Sequence, residues 1–159
     1  MKTYNNNTTL LSNEIFLMTR APLMSVNTNM KPEILYIIIA DNVIVEEKTG
    51  KLSIIGIFYA INLPSKQNLT ILPSMTVLAR ISNAKGRKEA KVNIIDPDGV
   101  IIATVVLKGD IPDNYLNLRA IFQGLQFSKT GTYRISIQLD DELITSEDSY
   151  SFEVKKTKE

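Results

Sequence analysis

The stretch Tyr133-Arg134-Ile135-Ser136-Ile137-Gln138-Leu139 alternates strictly between large apolar and polar side chains. A period of two is typical of a β-strand with one face in a core and the other in water. The same alternation occurs in residues 89–94 and 149–154, and in residues 75–82 with Leu78 as the one apolar exception. Residues 34–45 and 52–61 are apolar on both faces, which predicts central, more deeply covered strands. The chain is therefore expected to be all-β.

Short segments of turn-forming residues separate these runs. Asp96-Pro97-Asp98-Gly99 has Asp first, Pro second and Gly fourth, which is the pattern of a type I turn. Asp140-Asp141 suits a tight hairpin. Residues 109–114 form a longer link that we expect to cross between two sheets, and Gly124 sits where the alternation slips, which predicts a bulge. Together these features predict an immunoglobulin-like antiparallel β-sandwich of seven or eight strands.

The ends of the chain differ from its body. Residues 1–33 are rich in Asn and Thr and lack alternation, which predicts a flexible leader or a short helix within it. Residues 34–155 are the expected domain, and residues 156–159 a charged tail. The longest apolar run, residues 34–40, is far shorter than the roughly 20 residues of a membrane span. A poor match to a signal peptide and the lack of cysteine favour a cytoplasmic protein.

The composition excludes several classes of function. Eighteen Lys and Arg residues against 17 Asp and Glu leave a formal charge of +1, which argues against a protein built to coat nucleic acid. Histidine, cysteine and tryptophan are absent. A Ser-His-Asp triad, a Cys-His dyad, a zinc finger and a disulfide framework are therefore excluded. We expect a non-catalytic protein with no cofactor and no membrane partner.

One motif indicates a particular architecture. The run Gly131-Thr132-Tyr133 at the start of an alternating strand resembles the tyrosine corner of immunoglobulin-like sandwiches. In that motif the ring packs in the core and the hydroxyl reaches an upstream backbone group. Gly131, Tyr133 and the turn residue Gly99 are therefore expected to be structural. Without a Trp and a disulfide, the likeness is one of architecture only.

Three segments also carry a resemblance to a known family. They are Ala40-Asp41-Asn42-Val43, Thr49-Gly50-Lys51-Leu52-Ser53-Ile54-Ile55-Gly56-Ile57-Phe58 and Asp96-Pro97-Asp98-Gly99. Together they resemble a family of small, uncharacterised bacterial proteins whose members look like single immunoglobulin-type sandwiches. The resemblance runs from about Met30 to Val154 and implies no activity or site.

Two polar residues interrupt an apolar run and are candidates for a ligand site. Asp41 and Asn42 need hydrogen-bonding partners if they lie inside a strand. In one interpretation Asp41 bonds to backbone N–H groups near Lys51 or Ser53. In the other it is a buried acid of a ligand site, with Lys51 as its charge partner across the hairpin.

Two acidic loops are candidates for a weak Ca²⁺ site. Asp96 and Asp98 begin like a calcium loop but lack the spacing of an EF-hand, and the plain turn is the simpler interpretation. Asp140 and Asp141 form a second acidic tip. A metal site would require the fold to bring the two loops together.

The leading hypothesis is a non-catalytic binding or assembly module that engages a protein partner, or itself, through an edge strand. Arg80, Lys91 and Arg134 at outward positions are expected to guard the edges against self-association. The second hypothesis is a small-ligand or carbohydrate-binding sandwich with its site near Asp41 and Asn42. The third is a hydrolase based on carboxylates.

Overall fold

The computed structural model of this chain describes residues 30–65, 69–145 and 150–157. Most of the predicted leader, with its possible helix, and the end of the predicted tail lie outside these residues. Within them the regular structure consists of ten β-strands. In chain order they are β1 (Glu33–Val45), β2 (Leu52–Ile57), β3 (Ala60–Leu63), β4 (Thr70–Ser82), β5 (Gly86–Ile95), β6 (Ile101–Ile111), β7 (Tyr115–Phe127), β8 (Gly131–Leu139), β9 (Glu142–Leu143) and β10 (Ser151–Lys156).

The strands form two sheets, as the all-β expectation requires. The first sheet has the order β2-β1-β4-β7, and all of its pairs are antiparallel. The second is curved into a half-barrel with the order β3-β10-β8-β5-β6, and β9 pairs with β8. The expectation of purely antiparallel sheets is wrong at one pair, because β3 runs parallel to β10.

One apolar core lies between the two sheets. Alternate residues of the stretch Tyr133–Leu139 point into it, and Ile135, Ile137 and Leu139 are all buried there. Strand β4 contributes side chains from the opposite sheet at the same period, including Val77 and Ala79. The two-residue alternation therefore located the core faces of these strands correctly.

Residues 52–61 form two edge strands and not one central strand. Strand β2 lies at the edge of the first sheet, and β3 lies at the edge of the second. Between them the backbone N–H of Phe58 donates to the carbonyl of Ile39 at 3.2 Å. The Phe58 ring meets Phe152 edge-on, with centroids 6.3 Å apart. The apolar character of both faces thus reflects a passage between the sheets.

The predicted crossing after β6 is confirmed but is shorter than expected. Strand β6 continues to Ile111, so only residues 112–114 connect the second sheet to the first. Within this corner the side-chain amide of Asn114 donates to Asn83 Oδ1 at 3.0 Å. The backbone N–H of Ala84 donates to the carbonyl of Asn114 at 3.2 Å.

The predicted bulge at Gly124 is absent from the pairing of β7 with β4. The register of these two strands stays constant along their whole length, and it sets Gly124 opposite Pro73. Gly124 has a φ of 63°. At this point the alternation of buried and exposed residues shifts by one position in both strands. Both strands therefore exchange their inner and outer faces here, without an extra residue in either.

The hairpin of β1 and β2 folds over the outer face of its own sheet. Val43 and Leu78 are buried there in a second apolar cluster, outside the main core. Arg119 of β7, two strands away from β1, donates from Nη1 to the carbonyl of Val43 at 3.3 Å. The hairpin therefore covers β4 and protects the apolar outer face of this sheet from water.

Gly56 allows the hairpin to turn in this way. Its φ is 67°, in the left-handed region that favours glycine. A Cβ at this position would lie 2.0 Å from Oδ2 of Asp41, which sits on the opposite strand. Asp41 and Gly56 both lie in the segments that resemble a known family. Their sizes match, because the Asp41 carboxylate occupies the space that a side chain at position 56 would need.

We predict that Gly56→Ala destabilises the chain more than Gly124→Ala. Both substitutions place a Cβ in the left-handed region, which costs about 1–2 kcal/mol. Only Gly56→Ala adds a clash, because nothing lies within 4 Å of a Cβ at Gly124. The check is the free energy of unfolding from urea titrations of both variants. Equal losses would show that the contact with Asp41 does not constrain the hairpin.

Candidate functional site

Lys129 joins two loops that meet at one end of the sheets. Its Nζ lies 2.5 Å from Asp96 Oδ2 and 2.6 Å from Asp98 Oδ2. It belongs to the loop between β7 and β8, whereas the two carboxylates belong to the turn between β5 and β6. The Asp96 side chain is only 5% exposed, while that of Asp98 is 67% exposed. Asp96 is therefore the buried half of this group, which we call the Lys129 junction.

Asp96 also fixes the turn that precedes β6. Its Oδ1 accepts from the backbone N–H of Asp98 at 3.0 Å and from that of Val100 at 2.9 Å. Its own backbone N–H donates to the carbonyl of Val100, and the N–H of Gly99 donates to the carbonyl of Asp96. The predicted turn is confirmed at residues 96–99, with Gly99 at a φ of 84°.

Tyr133 attaches the same loop to the core. Its hydroxyl donates to the backbone carbonyl of Lys129 at 3.1 Å, while the residue is 2% exposed. Its ring stacks on Phe152 and meets Phe127 edge-on, with centroids 5.6 and 5.2 Å away. Gly131 approaches Pro97 so closely that a Cβ would lie 3.0 Å from Pro97 Cγ. Through these contacts Gly131 and Tyr133 hold the loop against the core, which is the kind of structural role expected of them.

The charges of the Lys129 junction stabilise each other over a wide pH range. Hydrogen bonds from the Lys129 ammonium and then from the Val100 N–H lower the pKa of Asp96 below its ordinary 3.8. Hydrogen bonds to Asp96 and then to Asp98 raise the pKa of Lys129 above 10.5. The contribution of Asp96 to the free energy of unfolding is complete above pH 3.8 and is lost as pH falls through its lowered pKa. That from Lys129 is complete below pH 10.5 and is lost at higher pH.

We predict that Lys129→Met lowers the melting temperature by several degrees at pH 7. The substitution keeps a chain of similar length but leaves the Asp96 carboxylate buried without its cation. Asp98→Asn is the matched control, because it removes the exposed partner of the same lysine and should have little effect. Thermal unfolding followed by circular dichroism measures both. A larger loss for Asp98→Asn than for Lys129→Met would contradict this account.

The second acidic loop is a hairpin tip held by two lysines. Asp140 and Asp141 have φ angles of 50° and 67°, as both central residues of a type I′ turn require. Lys88 Nζ lies 2.6 Å from Asp140 Oδ2, and Lys91 Nζ lies 2.5 Å from Asp141 Oδ1. The pKa of Asp140 is lowered by the Lys88 hydrogen bond and the Glu89 N–H, which outweigh its desolvation.

The fold does not bring the two predicted acidic loops together. Asp96 follows the end of β5, whereas Asp140 contacts Glu89 near the beginning of the same strand. Seven residues of extended chain separate these points, which is about 23 Å. Lysine ammonium groups already form ion pairs with the carboxylates of both loops. No group of three or more metal-binding side chains occurs in the described part of the chain.

The predicted ligand residues Asp41, Asn42 and Lys51 also lie apart. The pairing of β1 with β2 sets Asp41 opposite Gly56, while Lys51 lies beyond the end of the ladder, opposite Glu46. Five residues of strand, about 17 Å, separate the two positions. Asp41 and Asn42 are exposed, so they are not buried polar groups in search of partners.

A cleft of about 370 Å³ lies along the seam between the two sheets. Its lining is mostly apolar and comes from β1, the end of β2, the β2–β3 connection and the residues around the start of β10. The lining residues are Ile37, Ile38, Ile39, Ile57, Tyr59, Tyr150 and Ser151. None of the predicted ligand residues belongs to it, because the sequence pattern gave no sign of where the two sheets separate.

Strand β6 is the open edge of the second sheet. Within the described ranges, no strand pairs with it on the side away from β5. Val100 and the first six residues of the strand, Ile101-Ile102-Ala103-Thr104-Val105-Val106, form an uncharged run. Three of these apolar side chains are about half exposed: Val100 at 55%, Ile101 at 54% and Val106 at 45%. Natural edge strands are usually shortened, charged or interrupted by bulges. This run carries no charge, and its pairing with β5 is irregular at Ile102, where the register shifts by one residue.

The residues predicted to guard the edges do not lie on edge strands. Arg80 is on β4, Lys91 on β5 and Arg134 on β8, and each of these strands has neighbours on both sides. The guanidinium of Arg80 lies over the Tyr115 ring, 4.7 Å from its centroid. The expected protection by these three side chains is therefore wrong, since the strand order was not evident from the sequence.

The backbone of β6 presents alternate residues to the open side. Glu89, which pairs with Lys108, uses both its N–H and its carbonyl toward Asp140 on the other side of β5. Lys108 therefore has no ladder bond with β5, because bonded and non-bonded pairs alternate in antiparallel sheets. By the same alternation, Thr104 and Val106 also direct their N–H and carbonyl groups outward.

A known protein family matches most of this chain. The family model that matches this chain covers residues 35–154, which includes both sheets, the Lys129 junction and β6. The chain therefore belongs to the DUF6941 family, a family of unknown function. No curated protein matches the chain. In the described residues, no helix has the length and apolar character needed to cross a bilayer.

Proposed function

We propose that this chain is a non-catalytic protein-binding module that pairs the open edge of β6 with an extended segment of another chain. The observation that supports this most strongly is the uncharged, half-exposed run from Val100 to Val106. Unpaired N–H and carbonyl groups along such an edge are a template for strand addition. The other edges are less suitable, since β3 has four residues, β2 contains the left-handed Gly56, and β7 contains the left-handed Gly124 and the charged Arg119.

The acidic groups give further support to a binding role over a catalytic one. The buried carboxylate of Asp96 is bound by Lys129 and by two backbone N–H groups. Hydrogen bonds with Lys129 lower its pKa, which is opposite to what a general acid at neutral pH needs. Asp140 and Asp141 are likewise bound to lysines.

We further propose that the fold is an immunoglobulin-like sandwich. The strand orders β1-β4-β7 and β10-β8-β5-β6 correspond to the A-B-E and G-F-C-C′ orders of that architecture. On this assignment Tyr133 stands near the start of the F strand, and its hydrogen bond to the Lys129 carbonyl is that of a tyrosine corner. A cytoplasmic location is proposed from the lack of cysteine.

The test of the binding role compares proteins captured from a native lysate by three baits. They are the unmodified chain, Val106→Lys and Ile71→Lys. Val106→Lys places a charge on the open edge, whereas Ile71→Lys changes an apolar residue on the other sheet that is about half exposed, as Val106 is. We expect a partner that binds the unmodified chain and Ile71→Lys but not Val106→Lys. Identical captures by all three baits would contradict a role for β6.

A further inference from the structure

We infer that the outer face of the first sheet binds an acidic segment of a partner protein, with Arg80 and Arg119 as the cations that hold its carboxylates. The two arginines lie on the neighbouring strands β4 and β7. The open edge of β6 belongs to the second sheet, so this surface is a second binding site beyond the proposed function.

Arg80 and Arg119 point outward from the same face of the sheet. The pairing of β4 with β7 sets Arg119 opposite Leu78, which belongs to the apolar cluster outside the main core. Arg80 lies two residues along β4 from Leu78, so the β-carbons of the two arginines are about 7 Å apart. The β1–β2 hairpin covers Leu78, but beside it Tyr115 is 39% exposed and both arginines are only partly buried.

The guanidinium groups of these arginines lack the anionic partners that partly buried charges usually have. Within the described residues, the side chain of Arg80 donates no hydrogen bond, and that of Arg119 donates one, to the carbonyl of Val43. Every ion pair among these residues has a lysine as its cation. A carboxylate from another molecule would therefore supply the partner that the chain itself does not.

Each guanidinium is buried at one end and open at the other. The Nε atoms of Arg80 and Arg119 are buried and unpaired within the described part of the chain. The Nη groups of Arg80 and Nη2 of Arg119 are unpaired but not buried, so a ligand can reach them. Partial removal of water from a cation strengthens its attraction for an anion, because the local dielectric constant is lower.

Both guanidinium groups are also held in place before a partner arrives. That of Arg80 lies over the Tyr115 ring, 4.7 Å from its centroid, and that of Arg119 is bonded to the Val43 carbonyl. Ordered arginines and tyrosines are typical of the few residues that supply most of the binding energy at protein interfaces. This ordering lowers the entropy that the partner must offset.

The directions of the two side chains favour a segment with several carboxylates over one small anion. Arg80 turns toward Tyr115, which pairs with Ser82 and so lies on the far side of Arg80 from Arg119. Arg119 turns the other way, toward Val43 of β1. A single small anion would meet one guanidinium only, whereas the carboxylates of an acidic segment recur along its chain and reach both.

The charge of the chain favours an acidic protein over a nucleic acid. Binding to a phosphate backbone depends on many cations, but the formal charge here is only +1. Glu33, which is exposed and pairs with Ser82, adds a carboxylate at one end of the same face. An acidic segment needs only the two guanidinium groups, and it would lie on the side of them away from Glu33.

The first test is a titration of the full, isotope-labelled chain with a short synthetic peptide that carries glutamate at alternate positions. NMR signals of the arginine Nε–H groups report on each guanidinium separately. We expect the peptide to shift the signals of Arg80 and Arg119 and not those of Arg87 or Arg134, and to bind more weakly at high salt. The same peptide with glutamine in place of glutamate should shift none of them. No shift at millimolar peptide, or equal shifts with both peptides, would overturn the inference.

The second test uses variants whose folding is checked by circular dichroism. Arg80→Gln should weaken peptide binding by roughly tenfold or more, because it removes a charged donor. Arg87→Gln is the matched control, since it removes the same charge from an exposed position on the second sheet and should have little effect. Arg119→Lys retains a cation on a long stem but loses the planar fork, so it should weaken binding in a folded chain. Equal weakening by Arg80→Gln and Arg87→Gln, or none by Arg80→Gln and Arg119→Lys, would overturn the inference.

Two other probes test the class of the ligand. Inorganic phosphate should not shift both arginine signals, and a single-stranded oligonucleotide should bind more weakly than the acidic peptide. The opposite result with either probe would overturn an acidic segment as the occupant of this face. Val106→Lys should leave peptide binding unchanged, so a failure of this surface and a failure of the β6 edge are separate results.

Discussion

The contact between Lys129 and Asp96 holds together segments that are distant in the chain and adjacent in space. The ammonium group bridges the β7–β8 loop to the turn between β5 and β6, and the carbonyl of the same lysine accepts from the Tyr133 hydroxyl. Tyr133 in turn packs among Phe127 and Phe152 in the core. The loop between two strands is thus fixed from both sides, by an ion pair with a buried carboxylate and by an aromatic cluster.

This contact determines where β6 begins. Asp96 accepts from the N–H of Val100, the residue immediately before the strand, and Lys129 holds Asp96 in place. The edge strand therefore starts from a fixed turn, which pre-organises it for pairing and lowers the entropy that a partner must offset. An edge that is ordered before it is occupied is what the proposed binding role needs.

The alternation of apolar and polar residues was enough to predict an all-β chain and the inner faces of β4 and β8. It did not predict that residues 52–61 divide between two sheets, because a passage between sheets is apolar on both sides, like a central strand. It also placed the protective charges of Arg80, Lys91 and Arg134 on edges, although these residues lie on inner strands. Strand order depends on which chain segments meet in space, and a period of two contains no information about that. The open edge and the Lys129 junction are consequences of strand order, so both required the structure.

The central claim is that β6 is an open edge at which this chain pairs. Amide hydrogen exchange followed by NMR tests it residue by residue, in dilute free protein and with the captured partner bound. In dilute protein the account predicts fast exchange at Thr104, Val106 and Lys108, and slow exchange at Ala103, Val105 and Leu107, whose amides bond to β5. With the captured partner bound, the first three amides should become slow while the others change little. Protection of all six amides in dilute protein would contradict the account, because it would mean that the edge of β6 is already covered.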